Sequence, residues 1–113
     1  MKEPRTPEQK LILSLLERRA GGENAVQGSA VAFHVGKDLR STRADIRDLI
    51  ADGYPIASNE KKPYGYFMVQ TRDEAKFYAD SLKSRLIEIA LRRRDFRQAA
   101  DQYLTPAEQG VLI

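Results

Sequence analysis

The chain has 113 residues, enough for one domain with a modest core. Hydrophobic content of 42% and charged content of 31% argue for a folded chain, and a net charge of +3 with a pI near 9.3 permits a nucleic-acid partner without demanding one. There is no cysteine and one histidine, His34, which excludes disulfides, thiolate zinc sites, cysteine nucleophiles and histidine-rich metal sites.

No apolar run approaches the roughly 20 residues a membrane helix needs, and the polar start MKEPRTPEQK has no signal-peptide pattern. The expected location is the cytoplasm.

The first ordered element is expected at TPEQ. Thr6 suits the cap, Pro7 the first helical position, and Gln9 stands where it completes a capping box. The helix PEQKLILSLLERRA follows, with Leu11, Ile12, Leu15 and Leu16 as its buried stripe and Arg18 and Arg19 in its last turn. GGEN ends it. A second, shorter helix is expected over 27–35; Val31, Phe33 and Val35 are too dense to set its period. His34 on this helix is expected at the surface or partly buried rather than as a ligand.

GKD at 36–38 is a tight connection, and Asp38 caps the next helix, LRSTRADIRDLIAD. Leu39, Ile46, Leu49 and Ile50 form its apolar stripe, and Gly53 stops it. Arg40, Ser41, Ala44, Arg47 and Asp48 then fall outward, with Arg43 at the boundary. YPIAS and YGYFMVQ read as two strands joined by NEKKP, a hairpin turn with Lys61 and Lys62 at its tip. Pro55 costs little at the start of the first strand.

Thr71 and Glu74 form a second capping box, followed by an uninterrupted helical pattern over roughly 72–103. At about 1.5 Å per residue this helix is nearly 50 Å long. Leu82, Ile89, Phe96 and Tyr103 are seven apart, and Leu86 joins their stripe. That stripe is either a dimer seam or a face folded back on the chain's own core; a homodimer is the expectation. Arg92, Arg93, Arg94 and Arg97 form a second basic cluster. Glu88 before Arg92, and Arg97 before Asp101, have the spacing of helix ion pairs, so this cluster is first read as a solvated face. TPAEQGVLI is a short tail. The organisation expected is a module over 6–70, a long helix over 71–104 and a tail over 105–113.

Helix, helix, tight turn, helix and hairpin, in that order, make a winged helix-turn-helix. In that arrangement the helix after the turn enters the major groove and the hairpin lies against the backbone. The fold class expected is therefore mainly α with a small β-hairpin, followed by a long C-terminal helix. Arg40, Arg43 and Arg47 are candidates for guanine edges or phosphates. Ser41 and Thr42, in the first helical turn, are candidates for a phosphate. Lys37, Lys61 and Lys62 suit phosphates beside the groove. The competing reading of each is an ordinary solvated face or turn. Tyr64 and Tyr66 are expected to pack the hairpin rather than stack on bases.

The stretch GKDLRSTRADIRDLIADGYPIASNEKKPYGYFM resembles the winged module of DeoR-type and biotin-repressor-type regulators, and more closely that of small phage and prophage proteins. Asp45, Ile46, Leu49, GYPI at 53–56 and GYF at 65–67 carry the resemblance, which covers roughly 6–70. It implies double-stranded DNA as partner and a role in transcription regulation or replication. The same module also serves protein docking, which is the alternative: an adaptor or inhibitor of a host factor working through the long helix. Those regulators carry a large sensing or catalytic domain after the wing, where this chain has a helix, so no ligand switch is expected. GKD lacks the glycine and Ser/Thr spacing of a phosphate loop, and no carboxylate pair suggests acid–base work. No enzyme, cofactor, metal or small-molecule substrate is expected.

Overall fold

The computed structural model describes residues 2–104. Four helices and a two-stranded antiparallel hairpin run in the expected order: α1 (Pro7–Arg18), α2 (Gly28–Val35), α3 (Leu39–Ala51), β1 (Ile56–Asn59), β2 (Gly65–Met68) and α4 (Arg72–Tyr103). A single 3-10 turn, Gly22–Asn24, links α1 to α2. The tail expected over 105–113 lies outside the described residues.

Thr6 caps α1, its Oγ1 accepting the Gln9 N–H at 3.1 Å. The Gln9 side chain reaches one residue further back than a capping box requires and accepts the Arg5 N–H at 2.8 Å. The buried face of α1 is Gln9, Ile12, Leu13 and Leu16. Leu11, expected in the stripe, is 45% exposed, and Leu15 packs at the edge. The run LILSLL admits two helical phases. Buried polar Gln9, one turn before Ile12 and Leu13, belongs to the phase that the structure adopts.

The same correction applies to α3. Its buried positions are Thr42, Asp45, Ile46 and Leu49, again spaced i, i+3, i+4 and i+7. Leu39 is half-buried, and Ile50 is 44% exposed rather than inward. Ile12, Leu13 and Leu16 of α1 meet Val31 of α2, Ile46 and Leu49 of α3, Ile56 of β1 and Val26 in one core. Phe33 of α2, by contrast, is 90% exposed.

The hairpin pairs Ile56 with Met68 through Asn59 with Gly65. β2 has a second partner that the sequence pattern does not announce. Val26 and Tyr66 exchange both backbone hydrogen bonds at 2.8 Å, and the Gly21 N–H donates to the Met68 carbonyl at 2.9 Å. The segment before α2 therefore forms a third rung, and β2 is its central member. Tyr66 packs on the core, as expected of a hairpin residue.

Thr71 caps α4 through the Glu74 N–H at 3.1 Å. The Glu74 carboxylate accepts the Gly22 N–H at 2.7 Å and the Gln70 N–H at 2.8 Å. Those backbone donors, Gly22 first, hold the Glu74 carboxyl below its ordinary value. The chain divides into Met1–Tyr78 and Ala79–Ile113. Glu74, in the first turn of α4, is thus hydrogen-bonded within the first unit. In the second unit, residues 79–103 are one continuous helix. Leu82, Leu86, Ile89, Phe96 and Tyr103 are all exposed there.

Candidate nucleic-acid interface

The turn into α3 is built by Gly36, whose left-handed backbone (φ +78°) lets its N–H and that of Lys37 both reach the Ala32 carbonyl. Asp38 then caps α3, accepting the Ser41 N–H at 3.2 Å. Hydrogen bonding from Ser41, side chain first and backbone second, holds the Asp38 carboxyl below its ordinary value.

Behind this turn lies a polar network that anchors α3 to α1. Asp45, largely buried, accepts the Lys37 ammonium on Oδ2 at 2.9 Å and lies 3.5 Å from Gln9 Nε2 through Oδ1. The hydrogen bond to Asp45 raises the Lys37 pKa. At the far end of α3, Arg5 donates two bonds of 2.9 Å to the buried Asp52 carboxylate and stands 3.6 Å from Asp48. Arg5 holds the Asp52 carboxyl below its ordinary value of 3.8. The Lys2 N–H donates to the Asp52 carbonyl, and the Tyr54 hydroxyl donates to the Lys2 carbonyl. Residues 2–5 are thereby strapped across the end of α3.

The electrostatic result is asymmetric. Asp38, Asp45, Asp48 and Asp52 all have partners: the helix cap, Lys37 and Arg5. Arg40, Arg43 and Arg47 are exposed, and no side-chain hydrogen bond or ion pair joins any of them to another described residue. At 3.6 residues per turn the three fall within about 60° of each other and roughly opposite the buried Leu49. Arg43, expected at the boundary, belongs to this outward row.

One of the other expected contacts is corrected. Thr42 is 0% exposed, and its hydroxyl donates to the Asp38 carbonyl at 2.9 Å, so it is a core residue and touches no groove. A β-branched side chain that satisfies its own hydroxyl one turn back fits an interior helix face. Lys37 is half-buried and committed to Asp45, which takes up its charge. Ser41 is half-buried and engaged with Asp38 at the cap. Lys61 and Lys62 are exposed in the hairpin turn, as expected, beside a cis Lys62–Pro63 bond. Asn59 ties this turn down, donating to the Gly22 and Pro63 carbonyls at 2.8 and 3.0 Å.

A cleft of about 420 Å³ joins these elements. Gln27, Gly28 and Ser29 at the start of α2 form one wall and Ser58, Tyr64, Gly65 and Tyr66 of the hairpin region another, while Arg43 enters from α3. The sequence pattern pointed to neither the α2 start nor Ser58. The one signal available was the pair Gly28 and Gly65, each of which permits a close approach. A Cβ on Gly28 would crowd Leu39 and Tyr66, and a Cβ on Gly65 would collide with the Val26–Gln27 backbone.

Among the described residues there is no cluster of three or more potential metal-ligating side chains, and no helix is long and apolar enough to cross a membrane. In α4, Arg94 pairs with its neighbour Asp95 at 3.1 Å. Comparison with protein-family models, curated proteins and solved structures finds no match to this chain.

Proposed function

We propose that the unit ending at Tyr78 binds double-stranded DNA in the manner of a winged helix-turn-helix, with α3 in the major groove and the β1–β2 hairpin along the backbone. The observation that carries this reading is the charge asymmetry of α3. Its carboxylates, with Asp38 at its cap and Asp52 at its end, have partners within the chain, while Arg40, Arg43 and Arg47 stand together on the outward face without one. A solvated face needs no such sorting, since arginines on it pair readily with carboxylates one turn away. Arg40, Arg43 and Arg47 supply bidentate donors for guanine edges or phosphates. Lys61 and Lys62 supply phosphate contacts from the hairpin turn.

The direct test is a titration of the full chain against labelled random-sequence duplex at two salt concentrations. Micromolar or tighter binding that weakens steeply with salt supports the reading. Absence of binding at low salt refutes it. Transcription control and DNA replication are the roles that fit such an activity.

A further inference from the structure

We propose that residues 79–103 of α4 pair with the same segment of a second copy of the chain, running antiparallel, in one register. Ala79 lies opposite Tyr103, Leu82 opposite Ala100, Leu86 opposite Phe96, and Ile89 opposite Arg93. The inference is independent of the DNA-binding reading.

α4 has no buried residue anywhere along its length. Seven of its apolar residues nevertheless fall on the two core rows of a heptad, with Arg93 at the eighth position, while Phe77, Ile87 and Leu91 lie off it. Ala79, Leu86, Arg93 and Ala100 are seven apart, and so are Leu82, Ile89, Phe96 and Tyr103, three positions later. The five large apolar residues of this seam are 44–89% exposed. They offer on the order of 600 Å² of surface per copy, given the area of such side chains. Full coverage of these residues would bury about 1,200 Å² in total, an upper bound close to the roughly 1,000 Å² expected of a specific interface.

Side-chain size sets the direction. In the antiparallel register two of the four distinct layers set a small residue against a large one, Ala79 against Tyr103 and Ala100 against Leu82. A third sets Leu86 against Phe96. In a parallel, in-register pair Ala79 would meet Ala79, leaving a void, and Tyr103 would meet Tyr103. Arg93 decides more strongly. In the parallel pair the two Arg93 guanidinium groups would face each other inside the seam. In the antiparallel pair each lays its aliphatic stem along Ile89 and carries its charge to the edge.

The flanks of the seam are cationic, with Lys83 and Arg97 on one side and Arg85 and Arg92 on the other. Antiparallel pairing brings Lys83 near Arg97 of the second copy and Arg92 near its own equivalent. These repulsions are exposed and screened by salt, so the dimer tightens as salt rises. DNA binding weakens under the same change, so failure of one reading is distinguishable from failure of the other.

The test uses the full chain, which has no native cysteine. Gln102→Cys, at an exposed position off the seam, is spin-labelled and the label-to-label distance is measured, with molar mass read by light scattering at low and high salt. The expected result is a dimer, tighter at high salt, with a backbone separation of about 33 Å along the helices, from 22 residues at roughly 1.5 Å each. Leu86→Glu, at an exposed position, should weaken the dimer about 100-fold. A separation near 10 Å, the spacing of parallel helices in register, overturns the proposal. So does a monomer at high salt up to about 100 μM, a concentration that would still populate a weak dimer.

Discussion

Gly65→Ala tests whether the third rung of the sheet holds the hairpin in place. Gly65 has φ +125°, a region L residues rarely adopt, and any Cβ there would lie against the Val26 carbonyl and the Gln27 nitrogen. Backbone strain of this kind costs about 1–3 kcal/mol. The obstacle is backbone rather than a flexible side chain, so relief requires opening the Val26–Tyr66 bridge. Its two hydrogen bonds contribute about 1 kcal/mol each. The expected loss is about 3–5 kcal/mol, a large part of the 5–15 kcal/mol typical of a domain. At roughly 4–8 °C per kcal/mol for a unit of this size, Tm should fall by more than about 12 °C. Gly36→Ala is the control. It also has positive φ, but its Cβ would point into open space, so it should cost only the left-handed penalty of about 1–2 kcal/mol. Urea unfolding followed by tyrosine fluorescence compares the two variants. If Gly65→Ala costs no more than Gly36→Ala, the bridge does not constrain the hairpin and the reasoning fails.

Arg43→Glu with Arg47→Glu should abolish duplex binding and leave the urea midpoint nearly unchanged. Each single Arg→Ala that removes a phosphate contact should lower the salt slope by about 0.9, and unchanged slopes for Arg40, Arg43 and Arg47 would remove them from the interface. Thr42→Val should behave in the opposite way, costing about 0.5–1.5 kcal/mol of stability with no change in duplex affinity. The Asp38 carbonyl keeps the Thr42 N–H at 3.0 Å in that variant, so the cost should lie toward the lower end; a lost salt-slope increment would contradict its placement in the core. Asp38, Asp52 and Glu74 are all held below their ordinary values, so the stability they contribute is fully present above those values, near 3.8 for the two aspartates and 4.5 for Glu74, and is lost as pH falls through the lower folded values. Asp52→Asn should flatten the fall in urea midpoint below about pH 4, and an unchanged acid profile would show that the Arg5 pairing carries no linkage.

Much of this fold is legible in local chemistry. Thr6, Asp38 and Thr71 mark the starts of α1, α3 and α4 because each side-chain oxygen meets an N–H three residues on, and that geometry needs nothing outside the turn. The hairpin follows from two apolar runs around a polar turn. The outward row of Arg40 and Arg47 follows from helical period, and Arg43 was placed at its edge. Helix phase was less legible wherever polar residues were buried. Gln9 in α1, and Thr42 and Asp45 in α3, occupy interior positions because partners satisfy them, and hydrophobic periodicity counts such residues as surface. Thr42's place in the first helical turn points to a phosphate, and the apolar runs point Leu11 and Ile50 to the core, where the structure puts neither.

By itself, then, the sequence determined the order and type of the elements, the caps that start them and the apolar heptad of α4, since these depend on residues within one or two turns of each other. Tertiary structure alone decided which side of each helix is interior, through contacts between residues as distant as Gln9 and Asp45. It decided that Arg5 and Lys37 neutralise the α3 carboxylates and leave three arginines unopposed. It also decided that Val26 joins β2, closing the cleft between the α2 start and the hairpin. Each of these is a pairing across the fold, and a local pattern carries no record of which distant partner will satisfy a polar group.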